Sequence, residues 1–409
     1  MLLVPGWLAS ATPQQRRTLA AAALGWMLDS MDVMLYAMVL PAVAREMHLS
    51  PAISGGLMSV TLLAAAGGGL FFGWFADRMG RTRALTASML LYSLATAACG
   101  LTHTAVELAF ARVVLGLGMG GEWASGAVLV AETWPAVHRN KALAFVQSFW
   151  AIGFALGAAV TALILPRFGW RAVFFVGVLP ALLTLWVQKS VHEPEIWRKK
   201  PAHRPAIRTL FQVPLRRDVL LISTMNAATL FAWWGLFTWV PRFLSLPISA
   251  GGRGMGIVQT STWTIAMQFG TFLGYISFGG FADRFGPKRT YIGYLIGAVI
   301  AVPIFASVHD ARALLIAGPI AGFFGTGYFS GFGVITAVLF PTEIRGTALG
   351  FVYNIGRIAS AAAPYLIGLV SETSGLGFAL SLTSAAFLLA AILASFLRLP
   401  AASELEQVV

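Results

Sequence analysis

Residues 73–83 read GWFADRMGRTR, and residues 279–289 read GGFADRFGPKR. Asp283 therefore follows Asp77 by 206 positions (283 less 77) in a chain of 409 residues. A second pair keeps that register, RNKALAFV at 139–146 against RGTALGFV at 345–352. The chain is a doubled half. Parallel repeats of this size in a very apolar chain predict two similar helical bundles around a midplane site, the plan of a transporter.

Hydrophobic residues make up 58% of the sequence and charged residues 11%; the mean hydropathy is +0.78. No soluble domain of this length carries such a surface, so the chain reads as an integral membrane protein whose partner is the lipid bilayer. Several apolar runs reach the roughly 20 residues that a helix needs to cross about 30 Å of hydrocarbon. The alternation of a membrane barrel is absent. The first run starts near Leu19, behind Arg16 and Arg17, and continues to about Val43 without a small-residue cleavage site, so it reads as a retained helix.

A net charge of +12 would suggest a nucleic-acid partner in a soluble protein. Here the placement of the cations is a topology signal, and no nucleic acid is expected. Lys and Arg divide 20 to 6 between alternate connections. The richer set includes both termini and the long middle segment, which places these in the cytoplasm of a multi-pass protein of the bacterial inner membrane. The two remaining cations, Arg112 and Arg357, fall inside apolar runs. The one cysteine, Cys99, excludes an intramolecular disulfide and a Cys-rich metal site. No metal and no cofactor are expected.

The spans predicted are 18–44, 51–76, 84–102, 105–131, 141–165 and 170–190, then 218–245, 254–281, 290–308, 311–339, 347–370 and 375–398. The fold class is thus an all-α membrane protein of twelve helices in two pseudo-symmetric bundles, residues 1–190 and 218–409. Residues 191–217, basic and with four prolines, form the cytoplasmic linker. Glycines such as Gly68, Gly116, Gly120 and Gly322 read as close helix packing.

The repeated G-x-x-A-D-R-x-G-x-x-R between helices 2 and 3 and between helices 8 and 9 resembles the signature loop of the major facilitator superfamily. RVVLGLGMGGEW at 112–123, ETWPAVHRNKA at 132–142 and LDSMD at 28–32 are similar to the sialate and metabolite proton symporters. FPTEIRGTALGFVYNIGRIASAAAP at 340–364 resembles the aromatic-acid and organic-acid proton symporters of the same superfamily. The resemblance covers nearly the whole chain. It implies a twelve-helix fold, alternating access, proton-coupled uptake of a small organic anion, and function as a monomer. The second loop departs from the first, with Pro287 and Lys288 in place of Arg81 and Thr82.

Asp29 and Asp32 lie mid-helix at spacing i, i+3, with Tyr36 one turn further along that face. An ionised carboxylate at bilayer depth costs roughly 2.5–3.5 kcal/mol and is normally paired, hydrated or neutralised by a proton, which makes both candidates for proton coupling. Arg112, outward of the middle of helix 4, is expected to pair with Asp32, a link that the resemblance associates with conformational change. Glu122 on the same helix is the second protonation candidate. The competing readings are a permanent Asp–Arg clamp and a structural hydrogen bond.

Arg357, at the centre of helix 11, is the expected ligand of the substrate anion, because a guanidinium can hold a carboxylate through two parallel hydrogen bonds. Tyr353 and Asn354 share its face. Gln259 and Gln268 of helix 8, Tyr36, and Trp150 and Trp234 complete the expected substrate contacts, although each tryptophan is equally served by plain packing. Asp77, Arg78 and Arg83, with Asp283, Arg284 and Arg289, are expected to form a cytoplasmic gate.

The leading reading is a proton-coupled symporter importing a sugar acid, an aromatic acid or a small monocarboxylate. The alternatives are proton-driven efflux of amphipathic compounds and a solute sensor that does not transport. An enzyme is disfavoured, since the sequence has no P-loop, G-x-S-x-G or H-E-x-x-H.

Overall fold

Thr12 starts the first long helix. Its hydroxyl accepts from the Gln15 backbone N–H at 3.2 Å, and the Gln15 side chain accepts in return from the Thr12 N–H at 2.9 Å. This reciprocal cap, followed by Pro13 at the first helical position, carries the helix back to Pro13, ahead of the apolar run itself. Ser50 with Pro51, Thr104 with Glu107, and Asp310 open three further helices in the same manner.

The computed structural model describes residues 6–193, 207–212, 215–340 and 344–398. Most of the expected linker over 191–217 lies outside these residues. Every regular element among them is helical. In the first half, α1 is Pro13–Glu46, α2 Pro51–Met79, α3 Arg81–Cys99, α4 Ala105–Thr133, α5 Ala136–Phe175 and α6 Leu179–Ser190. In the second, α7 is Arg216–Phe237 with its continuation Val240–Ser245, α8 Ile257–Phe285 and α9 Pro287–Ser307. α10 is Ala311–Gly327 continued by Phe329–Leu339, α11 Arg345–Ser360 continued by Ala362–Ser374, and α12 Leu376–Ser395.

Nine helical runs among the described residues are long and apolar enough to cross a membrane. One of them, Val137–Ser190, has 54 residues and reverses direction at Gly169 (φ 77°, ψ 174°), so it supplies two crossings. α3, shorter and studded with hydroxyls, and α11, broken near Ala361, complete the twelve.

The doubling seen in the sequence is written into the turns. Gly80 (φ 115°) and Gly286 (φ 84°) reverse the chain between α2 and α3 and between α8 and α9. Gly169, inside α5, and Gly375 (φ 79°), between α11 and α12, do so at a second pair of turns. Both pairs keep the 206-residue register, and the positive φ at each favours glycine.

Packing follows the same symmetry. α2 crosses α4 so closely that a side chain on Gly116 would meet the Thr61 carbonyl and one on Gly68 the Leu117 carbonyl; the α8–α10 crossing repeats this at Gly322 against Met267 and at Gly274 against Phe323. Without a hydrophobic driving force between helices in lipid, such close backbone approach supplies the dispersion contact that holds them. The outer surface is apolar, with Phe110, Leu163 and Ile316 more than two-thirds exposed. Charged residues are gathered inside or at the ends.

The face that carries the starts of α1 and α7 is called here the terminal face, and the opposite one the distal face. The halves are joined at the distal face. Between the halves Glu372 accepts from the Ala52 N–H at 3.0 Å, and within the second half the Trp239 indole N–H donates to the Pro364 carbonyl at 3.0 Å. Gly55 lies under Pro364 and Gly368 under Pro51, leaving no room for a side chain on either. Arg242 reaches across to the Ser54 hydroxyl at 3.4 Å.

Candidate transport site

α1 and α4 bring three carboxyl groups together inside the first half. Asp29 and Asp32 have no exposed surface and Glu122 has 1%. Neither oxygen of either aspartate, nor Glu122 Oε1, has a hydrogen-bond partner among the described residues. Glu122 points at Gly25, one helical turn before Asp29, where any side chain would strike its carboxyl. Thr96 stands beside Asp32, but its hydroxyl donates to the Tyr92 carbonyl at 2.9 Å. The Tyr92 phenol of α3 lies within electrostatic reach of all three carboxyls and has no hydrogen-bond partner among the described residues. Spacing on α1 showed the two aspartates; Tyr92 went unread because nothing in the sequence ties α3 to α1.

The expected Asp32–Arg112 ion pair is not formed. The Arg112 guanidinium lies over the Tyr36 ring at 4.2 Å and donates to Met58 Sδ at 3.1 Å. Its Nε and Nη1 have no partner among the described residues. The reason is axial position. Arg112 sits about 10 Å from the distal end of α4, at 1.5 Å per residue, and Tyr36, one turn nearer that end than Asp32, meets it first. Tyr36 is also committed elsewhere, its hydroxyl donating to the Ser54 carbonyl at 2.8 Å. It belongs with the distal seal more than with a substrate contact.

Arg357 is buried in the second half at 3% exposure. It donates through Nη1 to the Ala65 carbonyl of α2, across the boundary between halves, at 3.4 Å, and lies over the Tyr353 ring at 5.0 Å. Its charge is within electrostatic reach of Asp29. Asn354 is half-buried; its amide donates to the Gly350 carbonyl at 2.9 Å while its oxygen lies near Gly69 of α2. Arg357 and Asn354 thus both meet α2, while Tyr353, one turn before Arg357, packs against Phe332 of α10.

Trp150 and Trp234 do come together, and two tryptophans not foreseen as ligands join them. Trp150 lies tilted against Trp26 at 4.7 Å and meets Trp233 at 5.6 Å and Trp234 at 6.3 Å edge to face, an aromatic cluster that crosses between the halves. The Trp150 indole N–H is buried without a partner among the described residues. Gln268 is buried, and its amide nitrogen has no partner among the described residues. Gln259 is separated from it by nine residues, about 14 Å along α8, and sits at the distal mouth, apart from that group. A further cross-half contact links Gln147 to the Tyr275 hydroxyl at 3.5 Å.

At the terminal face the first loop is tied tightly, by Asp77 of the residues expected there and by Arg81, Glu132 and Glu193, which were not. Arg81 bonds Asp77 at 2.5 Å and grips Glu132 with two hydrogen bonds, at 2.9 and 3.2 Å. Glu193 accepts from the backbone N–H groups of Arg81 at 2.7 Å and Thr82 at 3.0 Å, capping α3. Arg78 lies over Trp74, and the Arg83 side chain is exposed; neither makes an ion pair among the described residues. Asp283, Arg284 and Arg289 are exposed, and they too make no ion pair among these residues. Lys288 instead donates to the carbonyls of Ser395 and Leu397, both at 2.7 Å.

The family model for the Major Facilitator Superfamily matches residues 22–251 and 243–408. The chain belongs to that superfamily. A sialic acid transporter of Escherichia coli is 30% identical over 398 residues, which cover 94% of each chain. A cis,cis-muconate transport protein of Acinetobacter baylyi is 29% identical over 91% of each. In fold, a crystal structure of a D-xylose–proton symporter superposes with a TM-score of 0.75 at 19% identity, covering 95% of this chain and 98% of that one. The twelve-helix arrangement is the major facilitator fold, and the chain is a multi-pass membrane protein of a transporter family that handles organic acids.

Proposed function

We propose that this protein is a symporter that imports an organic acid anion with protons, by alternating access, as a monomer in the bacterial inner membrane with both termini cytoplasmic. Residues 1–190 and 218–409 act as the two moving bundles, joined by 191–217. The observation that carries this reading is the placement of Arg357, buried and bonded to a carbonyl, within electrostatic reach of Asp29, one of three clustered carboxyls that form no ion pair among the described residues. Sialic acid and muconate, named for the two relatives, are both carboxylic acids.

The chemistry follows from competition. An ionised Asp29 holds Arg357 electrostatically; a proton on Asp29 releases the guanidinium, which then binds a substrate carboxylate through its two-pronged fork. Proton and anion therefore favour each other's binding, and only ligands that differ in affinity between two packings move the equilibrium between them. Asp32 and Glu122 extend the proton's route within the first half, and the tryptophan cluster supplies the apolar wall. The gate lies in the terminal-face loops, with Arg81, Glu132 and Glu193 added to the charges expected from sequence.

The test is transport in proteoliposomes. An imposed inward proton gradient should drive accumulation of a carboxylate, a protonophore should collapse it, and Arg357→Ala should abolish it. Accumulation indifferent to the proton gradient would overturn the reading.

A further inference from the structure

We infer that the terminal face carries two sites for anionic phospholipid, one on each half. This stands independently of the transport reading. The first is an apolar groove of about 630 Å³ between the short helix Gly6–Ala9, α1 and α5, walled by Leu19, Ala23, Leu24 and Phe145, with Arg16 at its mouth. The second is a groove of about 530 Å³ between α7 and α12, walled by Leu220, Leu221 and Leu393, with Arg216 and Arg217 at its mouth.

Both open at the face where the first helix of a half begins, and each has two adjacent arginines there: Arg216 and Arg217 both line the second groove, whereas Arg16 lines the first and is followed by the exposed Arg17. The pairs are not copies of each other. The 206-residue register would carry Arg16 to Ile222, so the same combination of paired guanidinium groups and apolar trough occurs twice at positions that the repeat does not relate. Helix stability does not explain the pairs either. Cations in the first turn oppose the helix dipole at a cost of about 0.3–1 kcal/mol each.

A phosphodiester on two arginines with acyl chains in the trough satisfies both features, and the arginines fit a headgroup at the depth where a leaflet meets water. Arg16 donates to the Ala9 carbonyl at 2.6 Å and remains exposed. Arg217 donates to the Phe396 carbonyl at 3.1 Å, and the nearby Asp218, at 3.5 Å, leaves Arg216 as the freer charge of that pair. A free phosphate ion would use the arginines alone and gain nothing from the apolar walls.

The full-length protein is placed in nanodiscs of phosphatidylcholine, with and without phosphatidylglycerol, and the lipids it retains are counted by native mass spectrometry. The wild type should keep phosphatidylglycerol over phosphatidylcholine by on the order of tenfold at each site. The pair R16Q/R17Q should lose one retained lipid, R216Q/R217Q the other, and Lys189→Gln, an exposed cation on the same face outside both grooves, neither. Ala20→Trp, which fills the first groove and leaves its arginines in place, should also lose the first lipid. Melting in phosphatidylcholine alone separates loss of lipid from loss of fold; should a double variant melt early, R16Q and R216Q singly give the same comparison. Unchanged retention in the arginine variants would overturn the proposal. So would displacement of the lipid by inorganic phosphate with Ala20→Trp still binding, which would leave an anion site without lipid.

Discussion

At the turn after α2, one arginine is held by two carboxylates while a third caps the helix that follows. At the matching turn after α8, position 287 is proline, and the neighbouring Lys288 is tied to backbone carbonyls at the end of α12. The backbone is the same in both places, down to the left-handed glycine. The same contrast recurs inside the membrane. The first half buries three carboxyls on α1 and α4, with the buried Arg112 held apart from them on Tyr36 and Met58, while among the described residues the second buries no carboxyl but the Arg357 guanidinium on α11. A duplicated scaffold thus buries its carboxyls in one half only, and Asp29 and the Arg357 of the other half face each other across the boundary between the halves.

The largest effect expected from breaking that division is at Arg357. Arg357→Ala removes both prongs of a charge-assisted contact, about 3 kcal/mol or more, so affinity for a carboxylate substrate should fall on the order of 100-fold, measured by titration of the purified protein. Arg357→Lys keeps the charge and loses the fork, and should recover only part of it. The next largest effect separates the two loops. Arg81→Ala strands Glu132 and Asp77 and should cost about 2 kcal/mol of stability, read as a lowered melting temperature; Lys288→Ala should cost well under half as much, since it leaves no carboxylate unpaired. Equal losses would remove the contrast between the two turns. The smallest effect is at Asn354→Ala, which removes a polar neighbour of Arg357 without touching charge. It should weaken substrate binding by about 1 kcal/mol, roughly fivefold, with melting unchanged.

Much of the fold was legible because it repeats. The 206-residue register that relates Asp77 to Asp283 also relates the turn glycines and the glycines of the tight crossings. The buried charges were legible as well, because Asp29, Asp32, Arg112, Glu122 and Arg357 are anomalies in apolar helices. Their partners were not. Whether Arg112 meets Asp32 or Tyr36 depends on how α1 and α4 slide past each other by a single turn, and periodicity along one helix says nothing about that offset. Glu132 and Glu193 reach Arg81 from 51 and 112 residues away, and ordinary surface acids on a basic face gave no sign of it. Trp26 joined Trp150 unannounced for the same reason, since tryptophans in membrane helices have many plain uses.

The most direct test of this division of labour is the proton uptake that accompanies carboxylate binding, obtained from calorimetric titrations in buffers of different ionisation enthalpy. The wild type should take up a proton with the anion, whereas Asp29→Asn, with Arg357 already released, should bind the anion at least as tightly and take up markedly less. Anion binding without proton uptake in the wild type, or undiminished uptake in the Asp29→Asn protein, would contradict the account.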